Sequence, residues 1–210
     1  MNPKSGAFVA KSTARDLLRA RREARSPAEQ TADAALLATR AGALPELTGA
    51  RTVATYLSVG TEPGTGPLLD LLLARGVELL VPVLLPDGSL DWAGFDERTE
   101  LTTGPHRLRE PVGSRQGRDA VRRVEALVVP ALACDLAGSR LGRGGGSFDR
   151  ALALVAATVP VVALVYDDEV LPEVPVEAHD RRVSIIVTPG RTLRVAPPDA
   201  LDSGPPLAQD

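Results

Sequence analysis

The sequence predicts an α/β protein built on a mainly parallel sheet. Strand-like segments alternate with helix-like segments along most of the chain, and residues 125–132, EALVVPAL, form a continuous apolar run between charged and turn residues. Such a run is typical of a strand that is buried on both faces. Strands that alternate with helices indicate a parallel sheet covered by helices. We therefore expect one α/β core.

The N-terminal half predicts a strand–helix–strand unit that follows two helices. The expected helices are 11–25, 28–39 and 67–75, and the expected strands are 52–59, 77–84 and 89–95. Ser26-Pro27 ends the first helix and can cap the second, while Gly76 stops the third. The turn Pro86-Asp87-Gly88 joins two strands and predicts a hairpin at the edge of the sheet.

The C-terminal half continues the alternation after a less regular stretch. Charges, glycines and prolines with little periodicity predict mostly loop over residues 96–123. A glycine-rich segment, RLGRGGGSFDR at 140–150, follows the buried strand. A helix over 147–158 and strands at 161–166 and 183–188 complete the predicted elements. We expect a single domain over residues 1–195 and a disordered, proline-rich tail over 196–210.

Composition limits the classes of function. A chain of 210 residues with a net charge of −3 has room for one sizeable core, and its charge is too mild to draw it to nucleic acid or to an anionic membrane. No stretch approaches the ~20 apolar residues that cross a bilayer. A single cysteine, Cys134, and the lack of an apolar signal core predict a cytoplasmic protein.

The glycine-rich segment predicts an anion site. It lies between a strand and a helix, where ligands of open α/β sheets bind. Four of its residues, Gly142, Gly144, Gly145 and Gly146, can bring the main chain close to a ligand. The following helix, from Ser147, directs free N–H groups toward that position. Phosphate is the anion that this arrangement favours.

Other interpretations of the segment remain open at this point. The P-loop pattern is absent, but Gly142, Gly144 and Ser147 nearly match the dinucleotide fingerprint, and Asp167 or Asp168 could serve as its ribose-binding acid. An NAD(P)-binding oxidoreductase is therefore an alternative. The glycines could also form a tight turn, and a carboxylate in the first turn of a helix stabilises it by ~0.3–1 kcal/mol without any ligand.

The stretch LACDLAGSRLGRGGGSFDRAL, residues 132–152, resembles the signature of the 5-formyltetrahydrofolate cyclo-ligase family, also called methenyltetrahydrofolate synthetases. Further motifs occur in the same order as in that family. They are KSTAR at 11–15, YLSVGTEPGT at 56–65, GPHRLREP at 104–111 and VPVEAHD at 174–180. The resemblance thus spans nearly the whole chain.

The resemblance implies a three-layer α/β/α sandwich and a ligase of one-carbon metabolism. Such an enzyme uses Mg²⁺ and ATP to close 5-formyltetrahydrofolate into 5,10-methenyltetrahydrofolate, with release of ADP and phosphate. The γ-phosphoryl group activates the formyl oxygen, and nitrogen N10 of the folate then displaces phosphate. Reduced folate and ATP would be the partners, and neither nucleic acid nor membrane is implied.

The resemblance also implies roles for particular residues. The ATP site would comprise Lys11, Arg15, Arg140, Leu141, Gly142, Arg143, Gly144, Gly145, Gly146, Ser147 and Phe148. The folate site would comprise Arg15, Leu57, Glu62, Arg143, Gly144, Gly145, Gly146 and Ser147. Arg143 and Asp149 would be catalytic, and Asp149 and Asp180 would hold Mg²⁺ through carboxylate oxygens, which suit a hard cation.

Two residues depart from the family pattern. Ser147 stands where the family usually has a second aromatic residue before the aspartate, so a folate-binding homologue with impaired catalysis is a further alternative. Cys134 occupies a position that is commonly aromatic. We interpret it as a small packed residue, since no histidine is obviously placed to activate it as a nucleophile.

Overall fold

The computed structural model describes the backbone of residues 3–175 and 181–195, and side chains from residue 11 onward within those ranges. The helices are α1 (Pro3–Glu23), α2 (Pro27–Ala41), α3 (Pro45–Thr48), α4 (Gly66–Ala74) and α5 (Ser147–Leu152). The 3-10 helices are Pro105–Arg107, Arg118–Arg123 and Asp167–Glu169. Asp180 and the predicted tail at 196–210 lie outside the described residues.

The strands of the first half are β1 (Thr52–Ala54), β2 (Glu78–Leu84), β3 (Leu90–Phe95), β4 (Leu101–Thr103) and β5 (Arg109–Pro111). Those of the second half are β6 (Ala126–Pro130), β7 (Ala133–Asp135), β8 (Arg140–Leu141), β9 (Val161–Leu164), β10 (Val170–Leu171), β11 (Ile185–Val187) and β12 (Thr192–Arg194). No helix within the described ranges is long and apolar enough to span a bilayer.

Seven strands form the central sheet, in the order β12-β11-β9-β6-β1-β2-β3. The five inner strands run parallel, and β3 and β12 pair antiparallel at the two edges. The hairpin expected at the sheet edge is therefore β2–β3. The predicted α/β class with a mainly parallel sheet is confirmed.

Alternation along the strands divides the core into two layers. Val53 belongs to one buried cluster and its neighbour Ala54 to the other, because successive side chains of a strand point to opposite faces. Helices α2 and α4 cover the first face through residues such as Leu37 and Leu68. Helix α5 contributes Leu152 to the second face. The molecule thus has the three layers of an α/β/α sandwich.

The strand predicted at 52–59 ends earlier than its pattern suggests. Thr55 still donates its N–H to the carbonyl of Leu80, but the chain then leaves the sheet. A reciprocal pair of hydrogen bonds, each of 3.0 Å, joins the backbone N–H groups of Ser58 and Thr65 to each other's hydroxyls and closes the segment into a loop. The apolar residues after β1 are therefore buried against a cavity and not within the sheet.

The helix predicted over 147–158 ends at Leu152 because a distant side chain takes its carbonyl groups. The guanidinium of Arg181 donates to the carbonyls of Val155 at 2.6 Å and of Ala156 and Val159 at 2.9 Å each. These bonds hold the segment after α5 as turns. A contact between residues so far apart in sequence leaves no local periodic signal.

Two small sheets were not predicted. Strands β7 and β8 form a hairpin whose turn is held by Asp135, which accepts hydrogen bonds from the N–H groups of Ala137 at 3.0 Å and Ser139 at 2.9 Å. The hairpin separates the end of β6 from the glycine-rich segment. Strands β4 and β5 form a second hairpin inside the stretch expected to be mostly loop.

Candidate functional site

A cavity of ≈ 800 Å³ opens at the carboxyl ends of β1, β2 and β6. Tyr56, Leu84 and Pro130, at or just after the ends of those strands, line it. Ligands of parallel sheets bind at this edge. The site residues expected from the sequence that line the cavity are Lys11, Arg15, Leu57, Glu62, Arg140, Leu141, Gly142, Arg143, Gly144, Gly145, Gly146, Ser147, Phe148 and Asp149. Segments distant in the sequence are thus brought together, while Asp180 lies outside the described residues.

The glycine loop, residues 142–146, forms one wall of the cavity. Gly144 has a φ of +104° and Gly146 one of +68°, conformations that residues with a Cβ rarely adopt. A Cβ on Gly144 would also stand 3.5 Å from the guanidinium carbon of Arg15. Arg150 fixes the loop by donating to the carbonyls of Gly145 at 2.9 Å and Gly88 at 2.6 Å. The loop is therefore held open beside the β2–β3 turn.

Helix α1 presents a row of cations to the same cavity. Lys11, Arg15, Arg19 and Arg22 all line it, because residues three or four apart share one face of a helix. Arg15 Nε donates to the carbonyl oxygen of Gly142 at 2.9 Å, which couples this helix to the glycine loop. Arg19 and Arg22 were missed from the sequence, although their helical spacing after Arg15 is the signal that could have found them.

A buried ion pair anchors the C-terminal end of α1. Arg22 donates to Glu169 at 2.6 and 2.8 Å and to the carbonyl of Ala131 at 2.6 Å. The two side chains are only 4% and 1% exposed. Arg25 adds a cation–π contact, with its guanidinium carbon 3.9 Å from the centroid of the Tyr166 ring. This anchor positions the cations of α1 over the cavity.

A second arginine–carboxylate pair lies within the cavity wall. Arg140 forms an ion pair with Asp149, and their side chains are 5% and 33% exposed. Among the described residues, the buried Arg140 Nε has no hydrogen-bond partner. Arg140 therefore retains a donor for an anion, and Asp149 remains open to the cavity.

Glu62 contributes a carboxylate to the cavity lining beside the glycine loop. Its Oε1 lies 3.2 Å from Arg143 Nη1, and its Oε2 accepts a hydrogen bond from Val59 N–H at 2.9 Å. Burial raises the pKa of Glu62 above its ordinary value, although the Val59 N–H and the charges of Arg143 and Arg22 oppose this. The protonated carboxyl is therefore favoured more than in an exposed glutamate, and that form could donate a hydrogen bond to a polar heterocycle.

Apolar and aromatic groups complete the cavity. Leu84, Leu90, Leu108 and Phe148 line it together with Tyr56, which donates its hydroxyl to the carbonyl of Pro63 at 3.3 Å. Burial raises the pKa of Tyr56 well above its ordinary value, so its hydroxyl stays neutral. These leucines were missed because their strand pattern alone indicates only a buried core.

Three other residues singled out from the sequence lie away from the cavity lining. Cys134 is fully buried in the core, and burial raises the pKa of its thiol to about 12, so it fits a packed residue better than a nucleophile. Asp167 accepts hydrogen bonds from Thr188 and from Gly190 N–H, and Asp168 pairs with Arg25. The dinucleotide interpretation thus lacks an available acid for the ribose.

The carboxylate near the glycine loop suits a metal cation whose coordination shell also includes phosphate oxygens. Within the described ranges, no group of three or more histidine, cysteine, aspartate or glutamate side chains could enclose a metal ion. Mg²⁺ commonly takes one or two carboxylates and completes its shell with substrate phosphates and water. Asp149, open to the cavity beside a basic loop, fits that mode of binding.

Fold and cavity together define a class of protein. It is a small α/β/α protein whose glycine loop and arginines form an anion site that opens onto a cavity large enough for an aromatic metabolite. The model of the 5-formyltetrahydrofolate cyclo-ligase family matches residues 7–189, nearly the full length. The chain belongs to that family, as its motifs indicated.

Individual relatives agree with this assignment. The 5-formyltetrahydrofolate cyclo-ligase of Mycolicibacterium smegmatis is 41% identical over 148 residues, which cover 68% of this chain and 76% of the relative. That of Escherichia coli strain K12 is 32% identical over 179 residues, covering 83% and 98%. A solved structure of 5,10-methenyltetrahydrofolate synthetase from Aquifex aeolicus is 28% identical, with a TM-score of 0.75 over 95% of this chain and 96% of that one.

Proposed function

We propose that this chain catalyses the ATP-dependent cyclisation of 5-formyltetrahydrofolate to 5,10-methenyltetrahydrofolate. One observation carries the proposal: a single cavity joins the basic glycine loop, the largely covered side chain of Glu62 and an apolar wall. A triphosphate requires the first of these features, and the polar and aromatic parts of a folate require the other two. The relatives named as cyclo-ligases support the same reaction.

The reaction has two bond exchanges. In the first, the γ-phosphoryl group moves from ATP to the formyl oxygen, which releases ADP. In the second, N10 of the folate attacks the formyl carbon and loses its proton, the carbon–oxygen bond breaks, and phosphate leaves. Phosphoryl transfer depends on alignment and charge neutralisation more than on a protein nucleophile, which agrees with a cavity rich in arginine.

The positive charges that would neutralise the reactants come from two elements, helix α1 and the glycine loop. Lys11 and Arg15, on α1, would neutralise the phosphates, while Arg143 would lie between ATP and folate because it belongs to the glycine loop and pairs with Glu62. Leu57 and Glu62 would line the pterin. Fixed donors of this kind stabilise charge that develops in a transition state without reorganisation.

Arg140 and Asp149 would exchange partners when the nucleotide binds. A phosphate oxygen would take the place of the Asp149 carboxylate on Arg140, whose Nε has a free donor among the described residues. Asp149, with Asp180 by resemblance to the family, would then hold Mg²⁺. That ion, when bound, would offset the phosphate charge.

The reaction is tested by incubating the purified protein with 5-formyltetrahydrofolate, ATP and Mg²⁺ and following the absorbance of the methenyl product. We expect product to form only when all three are present, with one ADP released for each product. Folate binding without product or ADP would favour the homologue with impaired catalysis that Ser147 suggested. We further propose that the protein acts in the cytoplasm and that its small-molecule substrates are reduced folate and ATP.

A further inference from the structure

The hairpin formed by β4 and β5 contains strained backbone at the cavity, within residues 104–111. His106 has a φ of +57° and Arg107 one of +60°, and they are the only non-glycine residues with positive φ in the described ranges. Each such residue costs on the order of 1–3 kcal/mol and persists where its surroundings enforce it. Glycine would adopt this conformation without strain, so an arginine in this conformation indicates a functional role for its side chain.

Hydrogen bonds at the base of the hairpin hold this strained conformation. Gly104 N–H donates to the carbonyl of Leu108 at 2.7 Å, which closes the tip. Glu110, only 8% exposed, accepts a hydrogen bond from Leu84 N–H at 2.8 Å. The buried carboxylate thus ties the hairpin to the end of β2, and the basic tip keeps a fixed place at the cavity.

The cations of this hairpin differ from most other arginines that line the cavity; Arg15 likewise makes no ion pair with a described residue, but it donates to the carbonyl oxygen of Gly142. Arg22, Arg140 and Arg143 each pair with a carboxylate. Arg107 and Arg109 also line the cavity and are exposed, but no described residue provides a hydrogen-bond or ion-pair partner for their side chains. This wall therefore offers positive charge that the protein itself does not neutralise.

Apolar surface adjoins these cations. Leu108 belongs to the hairpin, while Leu84 pairs with Leu90 in register across β2 and β3, and all three line the cavity. A reduced folate has the same sequence of properties, since an apolar aminobenzoyl ring links its pterin to a glutamate with two carboxylates. The pterin carries the reacting formyl group, so the carboxylates lie at the far end of the molecule.

We propose that the hairpin forms the subsite for the glutamate tail of the folate and that Arg107 is its principal specificity residue. This inference rests on the proposed function, because it assumes that a folate occupies the cavity. Arg107 would form a charge-assisted hydrogen bond with a tail carboxylate, and Arg109 and His106 would add to the local positive potential.

The test measures dissociation constants by calorimetry for two ligands, 5-formyltetrahydrofolate and the same folate with a neutral amide in place of the glutamate. Arg107→Ala keeps the backbone strain but removes the charge, whereas Arg107→Gly removes both, and Arg107→Lys keeps the charge. Arg98→Ala is the matched control, since Arg98 is exposed outside the cavity lining.

We expect Arg107→Ala and Arg107→Gly to weaken binding of the natural folate about tenfold, the effect of one charge-assisted hydrogen bond. Arg107→Lys should retain most of the affinity, and binding of the neutral analogue should be the same in every protein. Arg107→Gly should also melt no lower than the wild type, because glycine relieves the strain.

Equal losses for both ligands, or no loss for the natural folate, would overturn the tail subsite. The titrations do not require turnover, so an inactive wild-type protein that still shows these ratios would reject the proposed reaction and retain the subsite. If the wild-type protein binds neither ligand, both proposals fail.

Discussion

Arg22 and Arg140 both line the cavity, and each is paired with one carboxylate, but the two pairs are enclosed to different degrees. Arg22 and Glu169 are almost fully buried, with every strong contact made inside the protein. Asp149 is 33% exposed, and Arg140 retains one unused donor among the described residues. We propose that the same chemistry serves as an anchor in the first pair and as an exchangeable contact in the second.

The physical difference lies in what happens when a partner is lost. A buried charge without its partner has no water to replace it, so removal of one member costs about 3–5 kcal/mol. In the second pair Arg140 is also buried, but its carboxylate is partly exposed, so water or a ligand phosphate can replace that carboxylate at a lower cost. Substitution of each carboxylate by its amide tests this difference with one chemical change.

The largest effect on stability is expected from Glu169→Gln. This change leaves the Arg22 guanidinium buried without a counter-charge and turns an amide N–H₂ toward groups that donate to Glu169, including Tyr166 N–H. We expect the free energy of unfolding to fall by about 3–5 kcal/mol, measured by urea denaturation. A loss below about 1 kcal/mol would show that the buried pair is not an anchor.

Asp149→Asn should have the opposite profile. The amide oxygen can still accept from Arg140 and water can reach the partly exposed Asp149 side chain, but Arg140 itself is only 5% exposed, so we expect the free energy of unfolding to fall by about 1–2 kcal/mol, less than for Glu169→Gln. Turnover should fall by about 10²–10³-fold, the range seen when one fixed group that stabilises transition-state charge is lost. Full turnover in this variant would return Asp149 to a role in stabilising the start of α5.

The smallest effect concerns a third pair, Arg143–Glu62. Because burial raises the pKa of Glu62 above its ordinary value of 4.5, the folded protein holds this proton more tightly than the unfolded chain. The stability from the protonated group is present below pH 4.5 and is lost as the pH rises through the folded pKa. Glu62→Gln should therefore gain stability relative to the wild type as the pH rises across that range.

Glu125 provides a control of opposite sign for the pH experiment. Hydrogen bonds from the backbone and side chain of Arg51 lower the pKa of Glu125. Its stabilising contribution is present above pH 4.5 and is lost as the pH falls through the folded pKa. Glu125→Gln should thus lose stability relative to the wild type as the pH rises, and equal slopes for the two variants would contradict the account of Glu62.

Local patterns were sufficient to predict the framework of the fold. The apolar run at 125–132 and the alternation around it predicted the parallel sheet, and the turn at 86–88 predicted its edge hairpin. The end of α5 was not predictable, since it depends on Arg181, and neither was the departure of the chain from the sheet after Thr55. Both depend on contacts that no neighbouring residue encodes.

The site was predictable to a different extent. Composition alone indicated an anion at the glycine loop, but only the family resemblance related it to Leu57, Glu62 and Lys11. Residues 104–111 were recognised from the sequence only as a family motif; the role proposed for Arg107 was not, because its signal is a pair of positive φ angles in residues other than glycine. Backbone strain of this kind appears only in three dimensions.

We propose that the formyl oxygen is phosphorylated in this cavity. The decisive experiment uses 5-formyltetrahydrofolate that carries ¹⁸O in the formyl group, together with ATP and Mg²⁺, followed by mass spectrometry of the released phosphate. We predict that each phosphate carries one labelled oxygen, because the carbon–oxygen bond breaks after phosphoryl transfer. Methenyl product accompanied by unlabelled phosphate, with the label found in water, would contradict the account.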